Sequence, residues 1–188
     1  QEPELLDTYR DLLLQYGEQA SEELSACIRV QSSDVASSGA NIRCFLLEGP
    51  GKRPLILGSE IKLEHTNGAT VEKFPGNLTQ IFSCYQESVK KLERLFQLEI
   101  RYPDIAMEAM MKKVGIGKQL TARTVDHFRA THGTGKANGY ELYCGICEAV
   151  FFAQCSGMSV KNLIDLEEMV ARCLSLRFEE YDVPGAGW

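Results

Sequence analysis

The 188-residue sequence lacks the features that identify common classes of enzyme and membrane protein. No apolar run approaches the roughly 20 residues that span a bilayer, and no Gly-x-Ser-x-Gly elbow of a serine hydrolase is present. The first residues, Gln1 to Glu4, carry neither the positive charge nor the apolar stretch of a secretory signal peptide. We therefore expect a protein without a membrane segment and without enzymatic activity.

The cysteines number seven, an odd count, and they stand in apolar surroundings rather than densely in loops. Disulfide-linked secreted domains have the opposite pattern. The sequence therefore predicts free thiols in the cytoplasm or in another reducing intracellular compartment.

The apolar periodicity predicts an α+β fold. An N-terminal helix ends near Gly17, and a small antiparallel β-sheet of three or four strands follows, with a hairpin turn at Asn67-Gly68. The predicted strands are 24–31, 41–48, 54–65 and 69–74. From residue 77 onward the period is helical, which predicts a mainly α-helical bundle of about five helices.

The helical half contains one segment, Tyr140–Gln154, that is apolar on almost every side. Such a helix is normally buried, so we expect it to form the axis of the bundle. We divide the chain into the N-terminal helix and β region (1–76), the bundle (77–176) and a C-terminal arm (177–188). The three parts are expected to form one compact unit.

Positive charge is concentrated in residues 110–136. This segment holds six lysines and arginines and one acid, a local net charge of +5 in a chain whose net charge is -6. Such a concentration suits an anionic partner, and a phosphate backbone can be bound without recognition of base identity. The predicted nucleic-acid-binding residues are Lys112, Lys113, Lys118, Arg123, His127, Arg129 and Lys136.

Aromatic side chains near this segment are few, and we predict that Phe128 and Tyr140 stack on single-stranded bases. A structural explanation of the charge also stays open. Lys112 and Lys113 close a predicted helix and would complement its dipole. The other cations would then pair with acids elsewhere in the chain or in a neighbouring subunit.

The stretch Gly133–Lys136 does not form a nucleotide-binding phosphate loop. The first glycine of that motif is missing, and Ala137 stands where the motif has Ser or Thr. A helix rather than a strand is predicted before it. The sequence therefore does not predict an NTPase.

Four potential zinc ligands fall within 21 residues, namely His127, His132, Cys144 and Cys147. Zinc accepts His nitrogen and Cys thiolate, and Cys-x2-Cys is a usual ligand spacing. The apolar neighbours of the two cysteines favour buried thiols instead. We expect no metal or cofactor, with this set as the weaker zinc alternative. A redox dithiol at Cys144 and Cys147 is disfavoured because only helices are predicted downstream.

Three pairs of adjacent acids occur, at Glu22-Glu23, Glu167-Glu168 and Glu179-Glu180. Adjacent carboxylates are usually solvated, since a buried charge needs a partner. We predict that all three pairs face solvent.

These observations favour a structural protein of the nucleocapsid or coat type that lays single-stranded RNA, or another polyanion, along residues 110–136. Homo-oligomers would form through the N-terminal helix and the C-terminal arm. The alternative is a non-enzymatic protein-protein interaction or regulatory module, whose basic segment docks an acidic partner.

Overall fold

The computed structural model describes residues 2–18, 23–32, 40–63, 74–133 and 135–185. Within those ranges the chain forms six α-helices, a four-stranded sheet and a two-stranded ribbon. In chain order the elements are α1 (Glu2–Gln15), β1 (Leu24–Ser32), β2 (Ala40–Glu48), β3 (Arg53–Ile56), β4 (Ile61–Leu63), α2 (Phe74–Phe96), β5 (Glu99–Ile100), α3 (Pro103–Lys113), α4 (Lys118–His132), β6 (Ala137–Asn138), α5 (Gly139–Cys155) and α6 (Val160–Cys173). A short 3-10 helix, Phe178–Glu180, follows α6. The predicted α+β class, with an N-terminal helix, a small antiparallel sheet and a helical bundle, is confirmed.

Strand β2 is the centre of the sheet. It pairs antiparallel with β1, β3 and β4. Leu24 lies opposite Glu48 and Ser32 opposite Ala40, so β1 and β2 pair over their full lengths. Both strands agree with the predicted ranges to within one residue, because each is a long run of apolar and β-branched side chains.

The predicted strand 54–65 is wrong as a single element, since β3 and β4 are separate. The chain bends between them at Gly58, whose φ of 147° is a conformation that side-chain-bearing residues rarely adopt. The predicted hairpin turn at Asn67-Gly68 lies outside the described residues, as does most of the predicted strand 69–74. Phe74 itself belongs to α2, which begins before the predicted boundary at residue 76.

Helix α5 is the axis of the bundle, as predicted. It packs against α2, α3, α4, α6 and β3. Its start is defined by a capping box, in which the Asn138 side chain accepts from the Glu141 backbone N–H at 2.8 Å and the Glu141 carboxylate accepts from the Asn138 N–H at 2.7 Å. The first turn of the central helix is therefore anchored by its own side chains.

The predicted arms pack against their own chain. Tyr9 of α1 is buried, and its hydroxyl lies 2.5 Å from the hydroxyl of Tyr140. Phe178 is buried too, and Asp182 accepts from two backbone N–H groups just before α3 at 2.7 and 2.9 Å. Neither segment extends from the molecule over these residues, and Trp188 lies outside the described part of the chain.

A buried charge network joins the sheet to α6. The Arg43 guanidinium, 1% exposed, donates to Glu168 at 2.6 Å and to the Gly58 carbonyl at 3.0 Å, while Arg29 pairs with both oxygens of Glu167. Glu167 is itself 1% exposed. The prediction that Glu167-Glu168 faces solvent is therefore wrong, because two arginines of the sheet supply the charge that a buried carboxylate needs.

One hydrophobic cluster includes side chains from α1, the sheet and all five later helices. The predicted segments 1–76 and 77–176 thus share a core. Within the described ranges, no helix is both long and apolar enough to cross a membrane.

Candidate functional site

The basic segment runs along the end of α3, the whole of α4 and the turn before β6. Lys112 and Lys113 lie in the last turn of α3, where positive charge complements the helix dipole. Lys118 is the first residue of α4 and is exposed. No carboxylate contacts Lys113 or Lys118 within the described residues. Interaction with the helix dipole therefore accounts for Lys112 and Lys113 at the end of α3, but it does not account for Lys118 at the start of α4.

Two cations of the segment pair with acids of the same chain. The Arg129 Nε lies 2.9 Å from Asp104 Oδ2, and its Nη1 lies 3.4 Å from Asp126 Oδ1. The hydrogen bond to Asp104 raises the pKa of Arg129 further above its usual value. The Lys136 Nζ lies 2.9 Å from Glu99 Oε1. Arg129 and Lys136 therefore pair with acids elsewhere in the chain.

Arg123 contacts an aromatic ring rather than an acid. Its guanidinium carbon lies 4.7 Å from the centre of the Phe152 ring, and Nη1 donates to the Ser156 hydroxyl at 3.1 Å. His127 meets the same ring edge-on at 5.1 Å. Arg123 therefore keeps its positive charge at the surface, packed on Phe152 but not neutralised by a carboxylate within the described residues.

The predicted stacking role of Phe128 and Tyr140 needs correction, because both rings are buried. Phe128 is 5% exposed and stacks on His132, with ring centres 4.8 Å apart. Tyr140 is 6% exposed and stacks on Phe96 at 4.0 Å. Both rings are therefore largely covered by their own chain.

A cavity of about 340 Å³ lies between α4, α5 and the turn that joins β2 to β3. His127, His132 and Cys144 line it, but Cys147 does not. The Nε2–H of His132 donates a hydrogen bond to the Lys136 carbonyl at 3.0 Å. In the described part of the chain, no three His, Cys, Asp or Glu side chains are grouped so as to hold a metal ion. The four predicted zinc ligands are therefore not assembled into one site.

Four glutamates and one arginine also line the cavity, namely Glu18, Glu48, Glu141, Glu148 and Arg53. Burial raises the pKa of Glu18, and the charges of Glu141 and Glu48 raise it further. Burial likewise raises the pKa of Cys144 well above its ordinary value. The Cys144 thiol is therefore protonated at neutral pH and is a poor nucleophile.

The redox alternative for the Cys-x2-Cys pair fails for the same reason. Burial raises the pKa of Cys147 to about 12, and this thiol lies in the core beside Tyr143 and the backbone of Ile56. A reactive dithiol needs a lowered pKa in at least one member. Both cysteines are therefore structural.

A different pair of thiols, Cys44 in β2 and Cys84 in α2, was not predicted from the sequence, and each of these thiols shifts the pKa of the other. No local motif connects them, because they lie on elements far apart in sequence. Cys84 lies on the same face of α2 as the buried Ile81 and Ser88, and Cys44 lies within the run 42–46 of β2, which is buried throughout. Comparison of the chain with protein-family models, with curated proteins and with solved structures found no match.

Proposed function

We propose that the protein is a non-enzymatic binder of single-stranded nucleic acid that contacts phosphates through the exposed cations of residues 110–136. The observation that carries the proposal is the set of cations within residues 110–136 that have no carboxylate partner in the described part of the chain. These are Lys113, Lys118 and Arg123. They lie on α3 and α4, within one short stretch of an otherwise acidic chain.

The two paired cations do not oppose this proposal. The side chains of Lys136 and Glu99 are 62% and 60% exposed, and those of Arg129 and Asp104 are 47% and 34% exposed. Exposed pairs of this kind are worth about 0–1 kcal/mol. A phosphate that displaces the carboxylate would therefore recover most of what it costs to break the pair.

Fluorescence polarisation of a labelled single-stranded oligonucleotide across a salt series tests the proposal. Three phosphate contacts predict a slope of log K against log salt of about -2 for a single strand, and K113A/K118A should reduce its magnitude by about 1.4. Both lysines are exposed, and neither forms a hydrogen bond or an ion pair with another described side chain, so the double variant should fold normally. K161A, which removes an exposed lysine on α6, is the matched control and should leave the slope unchanged. Absence of binding at low salt, or an equal slope for K113A/K118A and K161A, would refute the proposal.

The second candidate is an interaction module that docks an acidic protein. Arg129 and Lys136 already bind the carboxylates of Asp104 and Glu99, so side chains of this segment accept carboxylate as well as phosphate chemistry. Competition of the bound oligonucleotide with polyglutamate separates the two. Displacement at equal charge concentration favours the acidic-protein partner, and displacement by unlabelled oligonucleotide alone favours nucleic acid.

A coat-like role additionally requires self-association, which remains part of the proposal. Large apolar side chains that are exposed in the described residues include Leu14 on α1 and Val160 on α6, and these would lie in contacts between copies. Sedimentation velocity with and without oligonucleotide measures this, and a monomer under both conditions removes the coat-like role. A reducing intracellular compartment is also part of the proposal, and the free state of all seven cysteines supports it.

A further inference from the structure

Cys44 and Cys84 are brought together by hydrogen bonds that connect β2 to α2. The Leu57 N–H donates to the Cys44 carbonyl at 3.2 Å. The hydroxyl of Ser88, one turn after Cys84 in α2, contacts the carbonyl of Leu57 and that of Cys84. The turn of α2 that carries Cys84 is therefore held against the part of the sheet that carries Cys44.

The neighbouring residues make a parallel contact. The Tyr85 hydroxyl lies 2.5 Å from the Cys27 carbonyl of β1 and 3.1 Å from the Phe45 carbonyl of β2, so the residue after Cys84 is held against the sheet beside the residue after Cys44. Each of the Cys44 and Cys84 thiols shifts the pKa of the other, so the two side chains lie close together. Cys44 is 1% exposed, whereas Cys84 is partly exposed. The pair thus has one member that a small reagent can reach and one that is protected.

The surroundings favour a thiolate at Cys84. The interaction with the Cys44 thiol lowers the pKa of Cys84, burial raises it, and the Ser88 hydroxyl, the Glu87 carboxylate and the Lys91 ammonium add smaller effects, with a net value of about 7. The same interaction, together with burial, raises the pKa of Cys44. The thiolate is the form of Cys84 that a hydroperoxide oxidises, and a second thiol nearby can condense with the sulfenic acid as it loses its proton.

We propose that Cys84 is a site of reversible oxidation by hydroperoxides and that Cys44 resolves it, forming an intramolecular disulfide between α2 and β2. In the first step the Cys84 thiolate sulfur attacks the distal oxygen of the hydroperoxide. The S–O bond forms as the O–O bond breaks, and the leaving alkoxide or hydroxide takes a proton from solvent, leaving Cys84 as a sulfenic acid.

In the second step the Cys44 sulfur attacks the sulfenic sulfur of Cys84. The S–S bond forms, the S–O bond breaks, and the Cys44 proton leaves with the hydroxide as water. The two thiols together lose two electrons, and the hydroperoxide is reduced to an alcohol and water, or to two waters when hydrogen peroxide is used. A thiol reductant reverses the disulfide by exchange.

This site is separate from the basic segment and does not depend on the proposed function. It also differs from Cys144 and Cys147, whose buried thiols have raised pKa values. Cys155 is exposed and serves as an internal comparison. A general oxidant effect would modify Cys155 as readily as Cys84.

Peptide mapping of the full chain tests the proposal without any substitution. The protein is treated with one equivalent of hydrogen peroxide, remaining thiols are blocked with N-ethylmaleimide, and trypsin is added without reductant. We expect peptide 44–52 linked to peptide 74–90, and loss of the linkage after dithiothreitol. Linkage of Cys84 to other cysteines with equal yield, or sulfonic acid at Cys84 with no linkage, would overturn the proposal.

Variants assign the two roles. C84S should abolish the linkage, whereas C44S should leave a Cys84 sulfenic acid that dimedone traps in at least ten-fold higher yield than in the unsubstituted protein. C155S is the matched control and should form the 44–52 to 74–90 linkage normally. Linkage that persists in C84S, or dimedone trapping that is unchanged in C44S, would contradict the assignment.

Discussion

Replacing Arg43 with methionine should destabilise the protein strongly, because Arg43 is the buried cation that contacts Glu168 at 2.6 Å and lies 3.7 Å from Glu167. Removing one partner of a buried pair costs about 3–5 kcal/mol, since the remaining charge is left uncompensated. Glu167 keeps Arg29, and Glu168 is 28% exposed and can reach water. We therefore expect a loss of about 3 kcal/mol, at the lower end of that range.

Equilibrium urea unfolding followed by far-UV circular dichroism measures this loss as a shift of the midpoint at constant slope. For a chain of this length, about 3 kcal/mol corresponds to a fall in Tm of about 6–12 °C. R53M is the matched control, because Arg53 is 54% exposed and its pair with Glu148 should be worth at most about 1 kcal/mol. R43M/E168Q should recover part of the loss by removing an uncompensated carboxylate. If R43M is no less stable than R53M, the network does not contribute as argued.

The effect should also depend on pH. Burial raises the pKa of Glu168, but the hydrogen bond and charge of Arg43 outweigh it, so the pKa in the folded protein lies below its ordinary value. A depressed pKa contributes stability above the unfolded-state pKa, and that contribution is lost as the pH falls through the folded-state pKa. The difference in unfolding free energy between the unsubstituted protein and R43M should therefore be constant from pH 6 to 7 and should shrink at acidic pH below about 4.

Three other substitutions or measurements address the core, the cap and the thiol pair. G145A should lower the unfolding free energy by about 1–3 kcal/mol in urea, since its Cβ would lie 2.7 Å from the buried Phe128 ring, whereas G135A, whose Cβ meets nothing within 4 Å, should be nearly neutral. N138A should cost about 1 kcal/mol by removing the capping box of α5, and a cost near zero in the same assay would contradict the role of the cap. The rate of Cys84 alkylation by iodoacetamide should rise with pH and be half-maximal near pH 7, and a midpoint above pH 8.5 would show that Cys84 is an ordinary thiol.

The parts of the fold that were predictable from sequence depend on local periodicity. Tyr140–Gln154 is apolar all round, and the helix found there, Gly139–Cys155, differs by one residue at each end. The paired strands β1 and β2 were located equally well, because a two-residue period and a helical period are distinct patterns. A break such as Gly58 is less visible, since a single glycine within an apolar run is compatible with either a continuous strand or a bend.

The buried network was not predictable, because its partners are far apart in the chain. Glu167 and Glu168 bind arginines that lie 138 and 125 residues earlier, and the local pattern around adjacent glutamates is that of a solvated helix face. The thiols show the same limit. The Cys144 and Cys147 spacing attracts attention in sequence, but the pKa that tertiary contacts lower belongs to Cys84.

The basic segment was predictable from the sequence as a concentration of charge, but the partners of its individual cations were not. The difference determines which of these cations are available to a polyanion. Composition identifies the segment, but only the fold separates Arg129 and Lys136 from the cations that have no carboxylate partner. Arg129 connects α4 to Asp104 of α3, and Lys136 connects the turn before β6 to Glu99 of β5. The Lys136–Glu99 pair lies beside the β5–β6 ribbon, where Glu99 pairs with Asn138, the cap residue of α5. A polyanion that recruits Lys136 must therefore release a contact beside the start of the central helix, whereas one that binds Lys118 disturbs no described contact. Binding energy should for that reason be concentrated at the α3–α4 junction rather than spread evenly along residues 110–136.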